Sequence, residues 1–396
     1  MISAFWLSLF IVFYTFMGYG LLLFLLVTIR RRVRGRRTPP DAAALPTCTL
    51  IVAVYNEAPI LEEKIANTLA LQYPAGRLSI VFVTDGSSDH SPQIVQRYPA
   101  LKLLHSPERR GKIHAMHRAM QQVDSEITIF TDANTFLNEE ALVQIARHYA
   151  DASVGAVAGE KRVKIDASAD ATAGEGFYWK YESLLKKWDS ELYSVVGAAG
   201  ELFSIRTALY IPVPPDTVLD DFMISLRIAE KGYRIVYEPE AYALETPSDN
   251  VSEELKRKVR IAAGGIQSVL RLNSLLNPFR QPVLSFQYIS HRVLRWTVTP
   301  FLLLLAFVLN GLIVAQGAPL FYSLLLAGQG LFYGLAAAGW LFEKRNLRVK
   351  ALFIPYYFCV MNYAVLAGIC RYAFSEQQVT WEKAKRKTLQ PAASEQ

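Results

Sequence analysis

Apolar positions follow two rhythms along this chain. At its ends they run on almost without interruption, and in its middle they come in short bursts between stretches of helical spacing. Residues 2–29, ISAFWLSLFIVFYTFMGYGLLLFLLVTI, hold no charged side chain and exceed the ~20 apolar residues that span a bilayer. Three more apolar segments lie at about 297–316, 319–342 and 351–374. Pro300 and Pro355 fall inside two of them, which membrane helices tolerate. Between about 45 and 275 the pattern predicts strands at TLIVAV (49–54), LSIVFV (78–83), LKLLHS (101–106) and ITIFTDANT (127–135). Helical patterns separate them at 58–72, where Ile60, Leu61, Ile65 and Leu69 share a face, and at SPQIVQRY and 111–123. This alternation predicts an α/β domain built on a parallel-type sheet.

The pattern divides the chain into a transmembrane helix (1–29), a basic linker (30–46), an α/β domain (47–275), an interfacial amphipathic segment (276–296), C-terminal transmembrane helices (297–374) and a basic tail (375–396). RRRVRGRR (30–37) directly follows the first apolar run. Beside a span it reads as positive-inside retention, with the α/β domain in the cytoplasm, rather than as a nucleic-acid contact. A signal peptide is disfavoured, since the run is too long, its start lacks Lys or Arg, and the basic cluster follows it. EKRNLRVK (343–350) predicts a second cytoplasmic loop, and QPVLSFQYISHRVLRW (281–296) a helix lying along membrane lipid. Four spans, however, place the tail WEKAKRK (381–387) outside with the amino terminus. Either one segment is re-entrant or the tail departs from the rule.

Composition agrees with a membrane protein: 52% of the 396 residues are hydrophobic and mean hydropathy is +0.18. The net charge of +7 is largely that of the basic stretches beside the membrane. Cys48, Cys359 and Cys370 have neither metal-ligand spacing nor a disulfide pattern. Few spans without an intramembrane charge cluster argue against a transporter.

Polar clusters fall at three predicted strand ends: Tyr55-Asn56-Glu57, Asp85 in DGSSD, and Asp132-Ala133-Asn134. In open α/β sheets that edge is where ligands bind. The competing structural reading makes Asp85 and Asp89 turn and cap residues. Taken in order, VAVYNE, TDGSSD, GKIHAMHRAM, TDANT, GAAGELFSIR, LDDFMISLRIAEKGYRIVYEPEA and RKVRIAAGG resemble the motifs of family-2 glycosyltransferases. These are inverting enzymes with a GT-A fold that use nucleotide-activated sugars, and the resemblance covers most of 47–275. The flanking spans resemble its membrane-integrated branch, the polysaccharide synthases.

The resemblance implies a transfer from a nucleoside-diphosphate sugar, with uridine the favoured base, to a lipid-linked or saccharide acceptor. It implies a bacterial inner-membrane enzyme of cell-envelope or exopolysaccharide synthesis. Asp85, Tyr55 and Glu57 would hold the nucleoside, and Asp132 the ribose and diphosphate. Asp132 and Asn134 would hold Mg²⁺ or Mn²⁺, although Asn134 replaces the usual carboxylate. Asp221 would be the general base, with Asp220 supporting it; the competing reading is a helix cap. Lys112 is either a nucleotide contact or a solvated lysine. Arg257 and Arg260 would approach the diphosphate. Ile261 stands where processive relatives carry a stacking Trp, which puts polymerisation in doubt. Gly200 and Trp179 would face the acceptor, with packing an equal reading for Trp179 and Trp188. His114 and His117 lack a third ligand and read as structural. A processive synthase that extrudes its polymer and a non-catalytic membrane subunit are the alternative functions.

Overall fold

The computed structural model describes residues 1–35, 37, 44–163, 173–246, 251–345 and 349–374. Eight strands make one sheet: β1 (Cys48–Val54), β2 (Leu78–Asp85), β3 (Lys102–Ser106), β4 (Ile127–Asp132), β5 (Thr135–Leu137), β6 (Val154–Val163), β7 (Leu202–Arg206) and β8 (Arg234–Glu245), in the order β3-β2-β1-β4-β7-β6-β8-β5. The first four are parallel as the alternation predicts. β7 corrects that expectation: it runs antiparallel to both β4 and β6, so the sheet is mixed. A strand of five residues carries no mark of direction. A second correction concerns TDANT. The strand expected over 127–135 breaks at Asp132, and the chain changes neighbours, β5 pairing with β8.

Helices cover both faces. The chain begins with α1 (Ile2–Phe13) and α2 (Tyr19–Arg34), joined by a π-helical turn at Tyr14–Gly18. The α/β domain adds α3 (Ala58–Leu69), α4 (Ser91–Gln96), α5 (Lys112–Met120), α6 (Ala141–Ala146), α7 (Ala173–Leu192), α8 (Asp220–Glu230) and α9 (Val251–Arg271). Strand alternation sorts the core: Leu50 and Val52 enter one buried cluster with Leu61 and Ile65 of α3, while Ile51 enters another with α5 and α8. Register brings Val54 level with Thr84 and Ala53 level with Asp132. The carboxyl ends of β1, β2 and β4 therefore finish at one edge, which fixes where their polar termini meet.

The remaining helices are α10 (Pro282–Tyr288), α11 (Leu294–Trp296), α12 (Thr299–Ala315), α13 (Leu320–Lys344) and α14 (Lys350–Phe374). Ile2–Arg34, Leu320–Lys344 and Ala351–Phe374 are long and apolar enough to cross a membrane, and Pro282–Trp296 with Thr299–Ala315 makes a fourth candidate bent by 59°. These helices mark a membrane protein. Their outward faces carry large apolar side chains such as Phe10, Leu324 and Leu331. In its C-terminal half α14 packs on α9: a Cβ at Gly368 would come within 2.6 Å of Ala262 Cβ, and Val365 joins the core cluster. α14 thus ends against the α/β domain. The tail's own placement lies outside the described residues.

A buried polar junction ties these parts together. Asp189 of α7 is fully buried and accepts a hydrogen bond from the Tyr19 hydroxyl. It also meets His291 Nδ1 at 2.6 Å and accepts from Gln287 Nε2 at 3.0 Å. Nearby, Arg31 of the basic run donates two 2.6 Å hydrogen bonds to Glu191.

Candidate active site

One cavity of about 1100 Å³ begins at the carboxyl edge of the sheet. Tyr55, Glu57, Asp85, Lys112, Asp132, Asn134, Trp179, Gly200, Asp220, Asp221, Arg257 and Arg260 all line it. The residues singled out in the sequence, from Tyr55 to Arg260, are therefore brought together.

Asp85 ends β2 and is 4% exposed. Its Oδ2 accepts from the backbone N–H groups of Arg110 and Gly111, at 2.9 and 2.6 Å. Its Oδ1 has no hydrogen bond among the described residues; the nearest cation is Arg118 at 3.8 Å. One oxygen holds the loop and the other is left for a ligand. Gly86 is required beside it, since its φ is 64° and a Cβ would sit 2.5 Å from Arg109 Cβ. Arg109, which the sequence reading missed, lies 4.1 Å over the Tyr55 ring. Asp89 has the structural role instead: its carboxylate accepts from Ser91 N at 3.0 Å and Ala58 N at 2.9 Å.

Lys112 opens α5 behind Gly111, and its ammonium lies 2.7 Å from Asp132 and 3.6 Å from Asp220. It is not a solvated lysine. Burial opposes its charge, but Asp132 and Asp220 outweigh that and hold its pKa above the ordinary lysine value. Asp220 Oδ2 makes no hydrogen bond among the described residues. Asp132, Asn134 and Asp220 thus present an oxygen-only set with an orphaned acceptor, which fits Mg²⁺ or Mn²⁺. Among the described residues no three His, Cys, Asp or Glu converge to hold an ion by themselves, so ligand oxygens would have to complete its shell.

α8 begins at Asp220, and Leu219 at its N-cap makes no side-chain hydrogen bond. Neither aspartate occupies the N-cap position itself. Both sit in its first turn, where the helix dipole favours negative charge. Even so, burial and the neighbouring Asp220 push the Asp221 carboxyl up to about 7, against the opposing pull of Lys112. Gly200 leaves space beside it: a Cβ there would lie 3.3 Å from Asp221 Oδ2.

On the opposite wall, Arg257 pairs with Glu254 at 3.1 Å. Burial lowers the Arg260 pKa against the pull of Asp220. Lys258 Nζ lies 5.1 Å over the Trp179 ring. Trp188 packs on Phe24, with ring centroids 5.3 Å apart, and takes no part in the cavity. His117 meets the Tyr210 ring edge-on, a packing role. Trp296 lines the cavity too and packs on Phe222. Its place, thirty-one residues after Gly265, gave no sequence signal.

Residues 49–211 match the family described as Glycosyl transferase family 2. Among curated proteins it is similar to poly-beta-1,6-N-acetyl-D-glucosamine synthase of Staphylococcus aureus (strain COL), 27% identical over 235 residues that cover 56% of this chain and 55% of that protein. The Staphylococcus epidermidis synthase of the same name is 24% identical over 230 residues, with the same coverage. The chain spans about half the length of these relatives. Among solved structures, mannosyltransferase PcManGT from Pyrobaculum calidifontis, in complex with GDP-Man and Mn²⁺, superposes with a TM-score of 0.69 at 24% identity, covering 94% of this chain and 99% of that one. That likeness establishes the GT-A fold. The chain is thus similar to family 2 glycosyltransferases over residues 49–211 and to polysaccharide synthases over about half of its length.

Proposed function

We propose that this protein transfers a sugar from a nucleoside-diphosphate sugar, a uridine diphosphate sugar by preference, to a hydroxyl of a lipid-linked or saccharide acceptor, inverting the anomeric centre. The observation that carries this reading is that one cavity holds both the Asp85 oxygen left without a hydrogen bond and the Asp221 carboxyl with its raised pKa. Asp85 Oδ1 accepts a base N–H, while Tyr55 and Glu57 line the nucleoside. Asp132, Lys112, Arg257 and Arg260 set charge around the diphosphate. Mg²⁺ or Mn²⁺ bound at Asp132 and Asn134 would supply Lewis-acid stabilisation of the leaving diphosphate. The acceptor oxygen attacks the anomeric carbon, the bond from that carbon to the diphosphate oxygen breaks with its electron pair leaving on the diphosphate, and the hydroxyl proton passes to Asp221. A group with a pKa near the working pH suits that task. Burial, and after it repulsion from Asp220, keep Asp221 basic, and Gly200 and Trp179 border the acceptor's approach.

The reaction belongs to cell-envelope or exopolysaccharide synthesis, with the α/β domain on the cytoplasmic side of a bacterial inner membrane; RRRVRGRR at the end of the first apolar helix supports that side. The test is nucleoside diphosphate release by purified protein across a donor panel, for wild type and Asp221→Asn. A general base contributes about 10²–10⁴-fold to rate, so the variant should bind donor, melt as a folded protein, and turn over at least ~100-fold more slowly. Near-normal turnover in Asp221→Asn would sink the mechanism.

A further inference from the structure

The cavity does not end at Asp221. Beyond Trp296 it continues between the interfacial segment and α14, where Phe353, Ile354, Tyr357, Phe358, Met361 and Val365 line it. Their spacing puts them on one face of α14, so the lining, apart from Asn362, is an apolar strip running along the helix. Phe16 of the first membrane helix faces the same space and packs edge-on against Phe358, with ring centroids 4.9 Å apart. At the far end Ile354 is 62% exposed, so the strip reaches the surface formed by the membrane helices.

Cations stand where this apolar arm meets the catalytic part. Arg292, Arg295 and Arg371 line the cavity there, with Glu182. The Glu182 carboxylate takes Arg292 Nη1 at 2.8 Å and Arg295 Nη1 at 3.0 Å. Two guanidinium groups on one carboxylate leave a surplus of positive charge, and Arg371 adds to it. Arg292 Nε is also buried without a hydrogen bond among the described residues. A water-soluble glycan matches neither the apolar strip nor the surplus charge. An amphiphile with a phosphate between its sugar and its hydrocarbon chain matches both.

Resting on the transferase reading above, we propose that this arm binds the acceptor laterally as a lipid-linked saccharide. Its phosphate or diphosphate sits among Arg292, Arg295 and Arg371, its hydrocarbon chain lies along α14, and its sugar hydroxyl reaches Asp221. The chemistry is unchanged: that hydroxyl loses its proton to Asp221 as the nucleoside diphosphate departs.

The test uses the full chain in phosphatidylcholine nanodiscs, with radiolabelled farnesyl diphosphate as probe and uridine diphosphate saturating the donor end. Saturable binding should persist under uridine diphosphate and exceed that of farnesol or inorganic diphosphate. It should weaken about ten-fold or more in Arg292→Gln/Arg295→Gln, as expected for lost charged hydrogen bonds. Removing both arginines strands the Glu182 charge, so Ile354→Glu, an exposed position, provides the second variant. It should weaken probe binding while leaving uridine diphosphate affinity intact. Displacement of the probe by uridine diphosphate would place it in the donor site and overturn the proposal. So would equal competition by inorganic diphosphate, an unchanged affinity in Ile354→Glu, or equal competition by phosphatidylglycerol added to the discs, which would make bulk anionic lipid the occupant. Failure of uridine diphosphate itself to bind would count against the donor reading and leave the lipid arm to be judged by the probe alone.

Discussion

The sheet edge and the membrane junction use buried acids in opposite ways. At the sheet edge, Asp85 and Asp220 each keep an oxygen without a hydrogen bond among the described residues, and burial together with the neighbouring Asp220 raises the Asp221 carboxyl to about 7. At the junction, Asp189 is saturated by Tyr19, Gln287 and His291, and Glu182 by His291, Arg292 and Arg295. Leaving a buried acceptor unsatisfied costs stability, so an arrangement that keeps two of them is built for a ligand. Saturating these α7 acids from the first apolar helix and the interfacial segment fixes the three segments to one another. The first region is poised to bind, and the second holds the binding region to its helices.

Breaking the junction should therefore give the largest loss of stability. Removing one member of a buried charged network typically costs about 3–5 kcal/mol. Asp189→Ala should lower the melting temperature of the purified protein by a correspondingly large amount. Uridine diphosphate affinity of the fraction still folded should stay as in wild type, because Asp189 does not line the cavity. An unchanged melting temperature would refute the structural role. A loss of nucleotide affinity without loss of stability would erase the distinction between the two regions.

A smaller effect comes from pH, and its sign differs for activity and stability. With its pKa raised to about 7, Asp221 becomes the required base only as pH rises through that value, so kcat/KM should climb across it. Stability should move the other way. The folded protein retains this proton at pH values where the unfolded chain has lost it, so the contribution is fully present below about pH 4 and is lost as pH rises through about 7. Asp221→Asn mimics the protonated acid, and should melt above wild type on the alkaline side and level with it in acid. A wild-type rate that is flat through neutrality would remove Asp221 as the base.

The same contrast explains which features were legible in the sequence. Asp85 and Asp132 stand at the ends of apolar runs, and a parallel sheet places such ends together, so periodicity alone gathers these two carboxylates at one side of the cavity. Asp220 and Asp221 announce themselves as an acidic pair before an amphipathic helix. The direction of β7 and the break after Asp132 were not legible, because a short apolar run fits either direction and either neighbour. Arg109, Trp296 and the Glu182–His291–Asp189 junction were hidden for another reason. Each is an ordinary residue locally, and becomes informative only when segments distant in the sequence fold against one another, as Glu182 and His291 do.

The smallest expected effect lies at Asn134, on the binding side of the comparison. An amide oxygen can ligate a divalent cation, but without the charge of a carboxylate it should hold the ion more weakly. Lys112 already places a positive charge 2.7 Å from Asp132, so an arriving ion must be attracted against that ammonium. Asn134→Asp adds a negative charge to a site that lines the cavity without touching the membrane junction. The concentration of Mg²⁺ or Mn²⁺ giving half-maximal activity should fall several-fold, and the melting temperature in the absence of metal should change little. Titrating metal into chelator-treated wild type and variant measures both quantities. Full wild-type activity in excess chelator would remove the ion from the mechanism, and an identical titration in the two proteins would show that position 134 does not bind it.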